Sequence, residues 1–122
     1  MKKILIADDD ENILESLTDI FELNGYQVVS AKNGEEAMAK LHAETPDLLI
    51  ADFNMPELDG ASMAYEIKNN KKISKLPIVF ISGMIQRDAP GSQGPAMENT
   101  YYVSKPFEVD KLIALVKKIT GE

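Results

Sequence analysis

Two hydrophobic patterns alternate along the chain. Ile4–Ala7, Leu48–Ala51 and Ile78–Ile81 are short unbroken apolar runs, the pattern of strands buried on both faces. Tyr26–Ala31 and Tyr101–Val103 read as two further strands. Between these runs the apolar positions fall three and four apart. Ile13, Leu14, Leu17, Ile20 and Phe21 stripe a first helix, which Asn24-Gly25 stops because both residues tolerate positive φ. Ala37, Met38 and Leu41 mark a second helix ending before Thr45-Pro46. A third carries Met63, Ala64 and Ile67 after the Asp59-Gly60 turn, and a last one carries Val109, Leu112, Ile113, Val116 and Ile119. Strands alternating with helices imply crossover connections and a parallel sheet covered on both sides. The expected fold is therefore α/β: a flavodoxin-like, doubly wound sheet of five parallel strands.

Length and composition fit one domain spanning residues 1–122, with enough chain to bury a core unaided. Cysteine is absent, which removes disulfides and thiolate metal sites. No apolar run approaches the roughly 18 residues of a membrane span or the about 7–15 of a secretory signal, so a cytoplasmic protein without membrane contact is expected. The net charge of −7 is unevenly placed. Residues 1–60 hold fourteen Asp or Glu against four Lys, a balance of −10, whereas residues 61–122 balance at +3. An acidic first half argues against direct nucleic-acid binding and suits a cation site.

In sheets of this kind ligands bind at the carboxyl ends of the strands, near the switch in strand order. Asp8 and Asp9 end the first strand, Asp52 the third and Ser82 the fourth, while Lys105 follows the fifth, just before Pro106. Folded as expected, one rim would gather three carboxylates, a hydroxyl and an ammonium. Each taken singly has a plainer reading, as a helix cap or a loop residue; their joint placement at successive strand ends is what points to chemistry. Clustered carboxylates call for a cation or a proton. Mg²⁺ accepts one or two carboxylates, keeps water and welcomes phosphate oxygens, and Mn²⁺ takes similar ligands. A carboxylate can also act as a nucleophile toward phosphorus, with positive charge and a hydroxyl donor stabilising the group in transit.

The stretches Ile4–Asp10, Pro46–Gly60, Pro77–Gly83 and Tyr102–Phe107 together resemble the receiver domains of response regulators in two-component signalling. The resemblance runs the length of the chain, in order. It implies strand order 2-1-3-4-5 and a phosphorylation-dependent switch. Asp52 matches the phosphoacceptor. Asp9 matches a direct Mg²⁺ ligand, Asp8 its acidic neighbour acting through water, and Asn54 the position whose backbone carbonyl binds the metal. Ser82 matches the hydroxyl that reports phosphorylation, Tyr102 the switch aromatic, and Lys105 the phosphate-binding lysine, with Lys105–Pro106 a peptide bond that is usually cis. Met55 and Met84 match positions flanking the pocket. The implied partners are a sensor histidine kinase or phosphotransfer protein as donor, and a downstream protein or an effector domain as reader. Activity is then limited to Mg²⁺-dependent self-phosphorylation and autodephosphorylation.

Two other readings compete. A pseudo-receiver would bind partners without phosphorylation, but all the pocket residues are retained. A hydrolase of the aspartyl-phosphate type would use Asp8-Asp9-Asp10 as its Asp-x-Asp, but the chain is short for a substrate cap. His42, the sole histidine, reads as a surface residue, and Lys68, Lys71, Lys72 and Lys75 as a solvated basic segment. One stretch departs from the family pattern. Four of the six residues from 90 to 95 are Gly or Pro, at about 1 and 3 kcal/mol per helical residue respectively. The helix between the fourth and fifth strands is accordingly expected to be degraded or missing, with residues 86–95 comparatively mobile.

Overall fold

The computed structural model describes residues 2–53, 55, 60–82 and 99–121. The chain runs β1 (Lys3–Ala7), α1 (Glu11–Leu23), β2 (Gln27–Ala31), α2 (Gly34–Glu44), β3 (Leu48–Asp52), α3 (Gly60–Lys68), β4 (Ile78–Ser82), β5 (Thr100–Ser104) and α4 (Val109–Thr120). The five strands form one parallel sheet in the order β2-β1-β3-β4-β5. This is the flavodoxin-like arrangement. The expectations for residues 86–95, and for the helix between β4 and β5, lie outside the described residues.

Side chains alternate across the sheet and split the core in two. Leu5, Leu49, Ile78 and Phe80 face α2 and α3, meeting Ala37, Leu41, Met63, Ala64 and Ile67. Ile4, Ile6, Ile50, Val79 and Ile81 face α1 and α4, meeting Leu17, Phe21, Leu112 and Val116. Each fully buried Leu, Ile or Phe contributes about 1.5–3 kcal/mol. β3 and β4 are buried at every position, as their unbroken apolar runs require.

Three details differ from the sequence pattern. Tyr26 precedes β2 instead of opening it. Its N–H donates to the Phe21 carbonyl at 3.1 Å, just after Gly25 at φ +92°, so its backbone closes the end of α1. Its ring, 5.7 Å from that of Phe21, still joins the core. Val109 is 37% exposed, as the first residue of α4 and beside Ile13, Leu17 and Phe107 on a shallow apolar groove. Met55, expected beside the pocket, packs into the core on the α2–α3 side.

Candidate functional site

Strand register builds the rim. Ala7 pairs with both Ala31 and Ala51, so β1 and β3 deliver Asp8 and Asp52 side by side. Asp52 pairs with Ile81, and Ser82 with Ser104, which brings Ser82 and Lys105 to the same edge. The Lys105 N–H donates to the Ser82 carbonyl at 2.9 Å, extending the ladder one residue past β5, and the Lys105–Pro106 peptide is cis.

Carboxylate oxygens of Asp8, Asp9 and Asp52 lie within 4.8 Å of one another. The Lys105 ammonium donates to Asp52 Oδ2 at 3.0 Å. Asp8, Asp52 and Ser82 are 3%, 8% and 1% exposed, whereas Asp9 is open to solvent. Asp10 stands apart from this cluster. Its carboxylate caps α1, accepting from the N–H groups of Asn12 at 2.9 Å and Ile13 at 3.3 Å. The third aspartate of the run is thus a helix cap, which counts against an Asp-x-Asp catalytic pair.

The electrostatics follow from burial. Burial pushes the Asp8 carboxyl above its usual range; the Asp10 N–H at 2.8 Å works the other way, and the Asp52 charge adds to the rise. Burial would lower the Lys105 ammonium, but its hydrogen bond to Asp52 and the charges of Asp52, Asp8 and Asp9 outweigh this and hold it above its ordinary value. Lys105 stays charged at neutral pH. Among the described residues, one ammonium against three clustered carboxylates leaves an excess of negative charge, and the donors are hard oxygens without thiolate or imidazole. That donor set fits Mg²⁺ or Mn²⁺.

Tyr102 lies on the α2–α3 side of the sheet, half-buried, its hydroxyl raised in pKa by burial. Its ring stacks on Phe80 at 5.7 Å and meets Phe53 at 6.0 Å. The Asn54 and Met84 expectations lie outside the described residues. His42 is exposed at the far end of the sheet, away from the rim. Phe53 has no counterpart among the sequence-derived candidates, because a lone apolar residue just past a strand end reads as a loop position.

The model of the response regulator receiver domain matches residues 4–117. This chain belongs to that family. The PhoP alkaline phosphatase synthesis transcriptional regulatory protein of Bacillus subtilis is 34% identical over 118 residues, 97% of this chain and 48% of that protein. DivK, a polar-differentiation response regulator of Brucella anthropi, is 25% identical over 99% of this chain and 98% of its own length. Several of the curated relatives are transcriptional regulators of which the chain spans only about half the length. Among solved structures, Thermotoga maritima TrrA in complex with Mg²⁺–BeF superposes with a TM-score of 0.80 at 36% identity, covering 98% of this chain and 99% of that one. Vibrio cholerae CheY4 superposes at 0.86 with 26% identity, covering 98% of each chain. Receiver domains of two-component signalling are signalling switches and not enzymes in the classical sense. Receiver domains take Mg²⁺ at an acidic pocket and receive phosphoryl groups from histidine kinases.

Proposed function

We propose that Asp52 is the phosphoacceptor and that residues 1–122 act as one receiver unit. A sensor histidine kinase or a phosphotransfer protein presents a phosphohistidine to the rim. An Asp52 carboxylate oxygen attacks phosphorus, the new O–P bond forms as the N–P bond breaks, and the electron pair leaves on the donor imidazole. Asp8, Asp9, Asp52 and the Asn54 carbonyl would hold Mg²⁺, with Mn²⁺ as a substitute; the ion supplies positive charge to the phosphoryl oxygens. The Lys105 ammonium supplies more, and the Ser82 hydroxyl donates to a phosphoryl oxygen. Return to the resting state is hydrolysis, in which water attacks phosphorus and Asp52 leaves as a carboxylate.

The observation that carries this reading is the Asp8–Asp9–Asp52 cluster with Lys105 hydrogen-bonded to Asp52 at 3.0 Å. The switch follows from the same geometry. A phosphoryl group favours the arrangement in which Ser82 reaches it, and Tyr102 fills the space that Ser82 leaves; a ligand shifts such an equilibrium only by its preference for one state. The reader is a downstream protein or an effector domain, consistent with relatives of twice this length being named transcriptional regulators. The balance of −10 in the first half disfavours direct nucleic-acid contact by the receiver itself, and no helix among the described residues is long and apolar enough to cross a membrane. The exchange takes place in the cytoplasm.

Acetyl phosphate with Mg²⁺, read by intact mass, tests the assignment. One phosphoryl group should be added to the wild type and to Asp10→Asn, and none to Asp52→Asn or to any variant after chelation of the metal. An unchanged mass gain in Asp52→Asn refutes the phosphoacceptor.

A further inference from the structure

Phe53 stands where the two halves of the proposed switch meet, and both of its peptide groups are engaged. Its N–H donates to the Ile81 carbonyl at 2.9 Å, carrying the β3–β4 ladder one residue past Asp52. Its carbonyl accepts from the Gly60 N–H at 2.7 Å, tying together the two ends of residues 54–59, the segment that includes Asn54. The backbone of Phe53 therefore cannot shift without disturbing either the strand that bears Asp52 or the start of α3.

The ring is held just as closely. It meets Phe80 edge-on at 5.1 Å with the planes at 90°, and Tyr102 at 6.0 Å with the planes at 64°. Phe80 and Tyr102 lie nearly parallel, 26° apart. On another side the ring rests against Gly60, where an added Cβ would fall inside van der Waals contact with Phe53 Cδ1, Cε1 and Cγ. Any residue with a Cβ at 60 would thus have to displace the Phe53 ring. One residue after the acceptor, a side chain touches the switch aromatic directly.

We propose that Phe53 is a positioning residue of the switch: its ring couples the backbone bearing Asp52 to Tyr102, so that phosphoryl occupancy and the Tyr102 ring position bias each other through it. The proposal rests on the phosphoacceptor reading above and adds a packing route beside the polar route through Ser82. Its physical basis is that aromatic contacts are directional. A ring pair that exists in only one of two Tyr102 positions shifts their populations about two- to tenfold. A ligand that prefers one Tyr102 position feels that shift, so the affinity of the phosphoryl site changes by up to the same factor.

A double-mutant cycle with Mg²⁺ and beryllofluoride as the probe separates this from a plain structural role. Phe53→Leu, Tyr102→Leu and the double variant are titrated by amide NMR, alongside wild type. Phe53→Leu should change beryllofluoride affinity by up to about tenfold in the wild-type background, and should have no effect when Tyr102 is already Leu. Equal factors in both backgrounds would mean that Phe53 only holds residues 54–59, and would overturn the proposal, as would no change in either. Gly60→Ala provides an independent variant that keeps Phe53 but displaces its ring. The movement of the Tyr102 ring resonances on beryllofluoride addition should shrink in Gly60→Ala as in Phe53→Leu, and full movement in both sinks the coupling. Failure of wild type to bind beryllofluoride is a different result, which refutes the phosphoacceptor reading and the coupling with it.

Discussion

Asp8 carries a cost that the site turns to use. It is 3% exposed, and burial raises its pKa above the ordinary 3.8. Between the unfolded and the folded value the native protein binds more protons than the unfolded chain, so stability falls as pH rises through that window. Above the folded value, ionised Asp8 burdens the metal-free fold. Asp8→Asn should therefore raise the melting temperature of the metal-free protein at neutral pH, while weakening Mg²⁺ binding. The Asp10 N–H bond survives in the variant, because an Asn oxygen can accept it as well. A melting temperature below wild type without metal would contradict this account. Asp8, Asp52, Ser82 and Lys105 were visible in the sequence because apolar strands end on them, and a polar residue at that place invites a question. Phe53 and Gly60 were not, since their contact joins the end of a strand to the start of a helix and leaves no pattern in either.

The elements themselves were mostly legible. Unbroken apolar runs located β1, β3 and β4, and stripes at helical spacing located α1, α2, α3 and α4. Deviations sit where local hydrogen bonding overrides hydrophobicity, as at Tyr26, whose N–H belongs to the end of α1. Burial just past the strand ends was harder to read: Met55, expected to flank the pocket, is buried with the core on the α2–α3 side. The acidic run also divides by element. Asp8 and Asp9 follow β1, but Asp10 starts α1 by accepting from the Asn12 and Ile13 N–H groups. Asp10→Ala should destabilise the domain by about 0.5–2 kcal/mol, the usual worth of such a cap, yet leave phosphorylation by acetyl phosphate intact. Chemical denaturation measures the first effect and intact mass the second. Loss of phosphorylation in a folded Asp10→Ala protein would place Asp10 in the pocket after all.

At the scale of the molecule, the sheet separates two poles that should respond differently to a ligand. The carboxyl pole holds the acidic rim, Ser82 and the Phe53–Phe80–Tyr102 rings. The opposite pole is fastened by local polar bonds. The Lys3 N–H donates to Asp47 at 2.8 Å, the Lys3 ammonium pairs with Glu44 at 3.3 Å, and the Lys68 ammonium reaches the carbonyls of Ser74 and Leu76. Between the poles, β1, β3 and β4 are close-packed on both faces, so a change at the rim has little room to travel along the strands. It can travel across them, because Ser82 on β4 and Tyr102 on the edge strand β5 both adjoin the site through neighbouring registers. Beryllofluoride with Mg²⁺ should therefore shift amide resonances at residues 8–10, 52–53, 81–82 and 100–105, and reposition the Ser82 and Tyr102 side chains. Lys3, Asp47 and Leu76 should stay near their ligand-free positions. Mg²⁺ alone should move only the rim, residues 8–10 and 52–55, because the ion lacks the phosphoryl oxygens with which the proposed relay has Ser82 bond. Equal shifts at both poles would mean a global rearrangement instead of a lateral relay, and an unmoved Tyr102 with a saturated rim would leave the relay without its reading element.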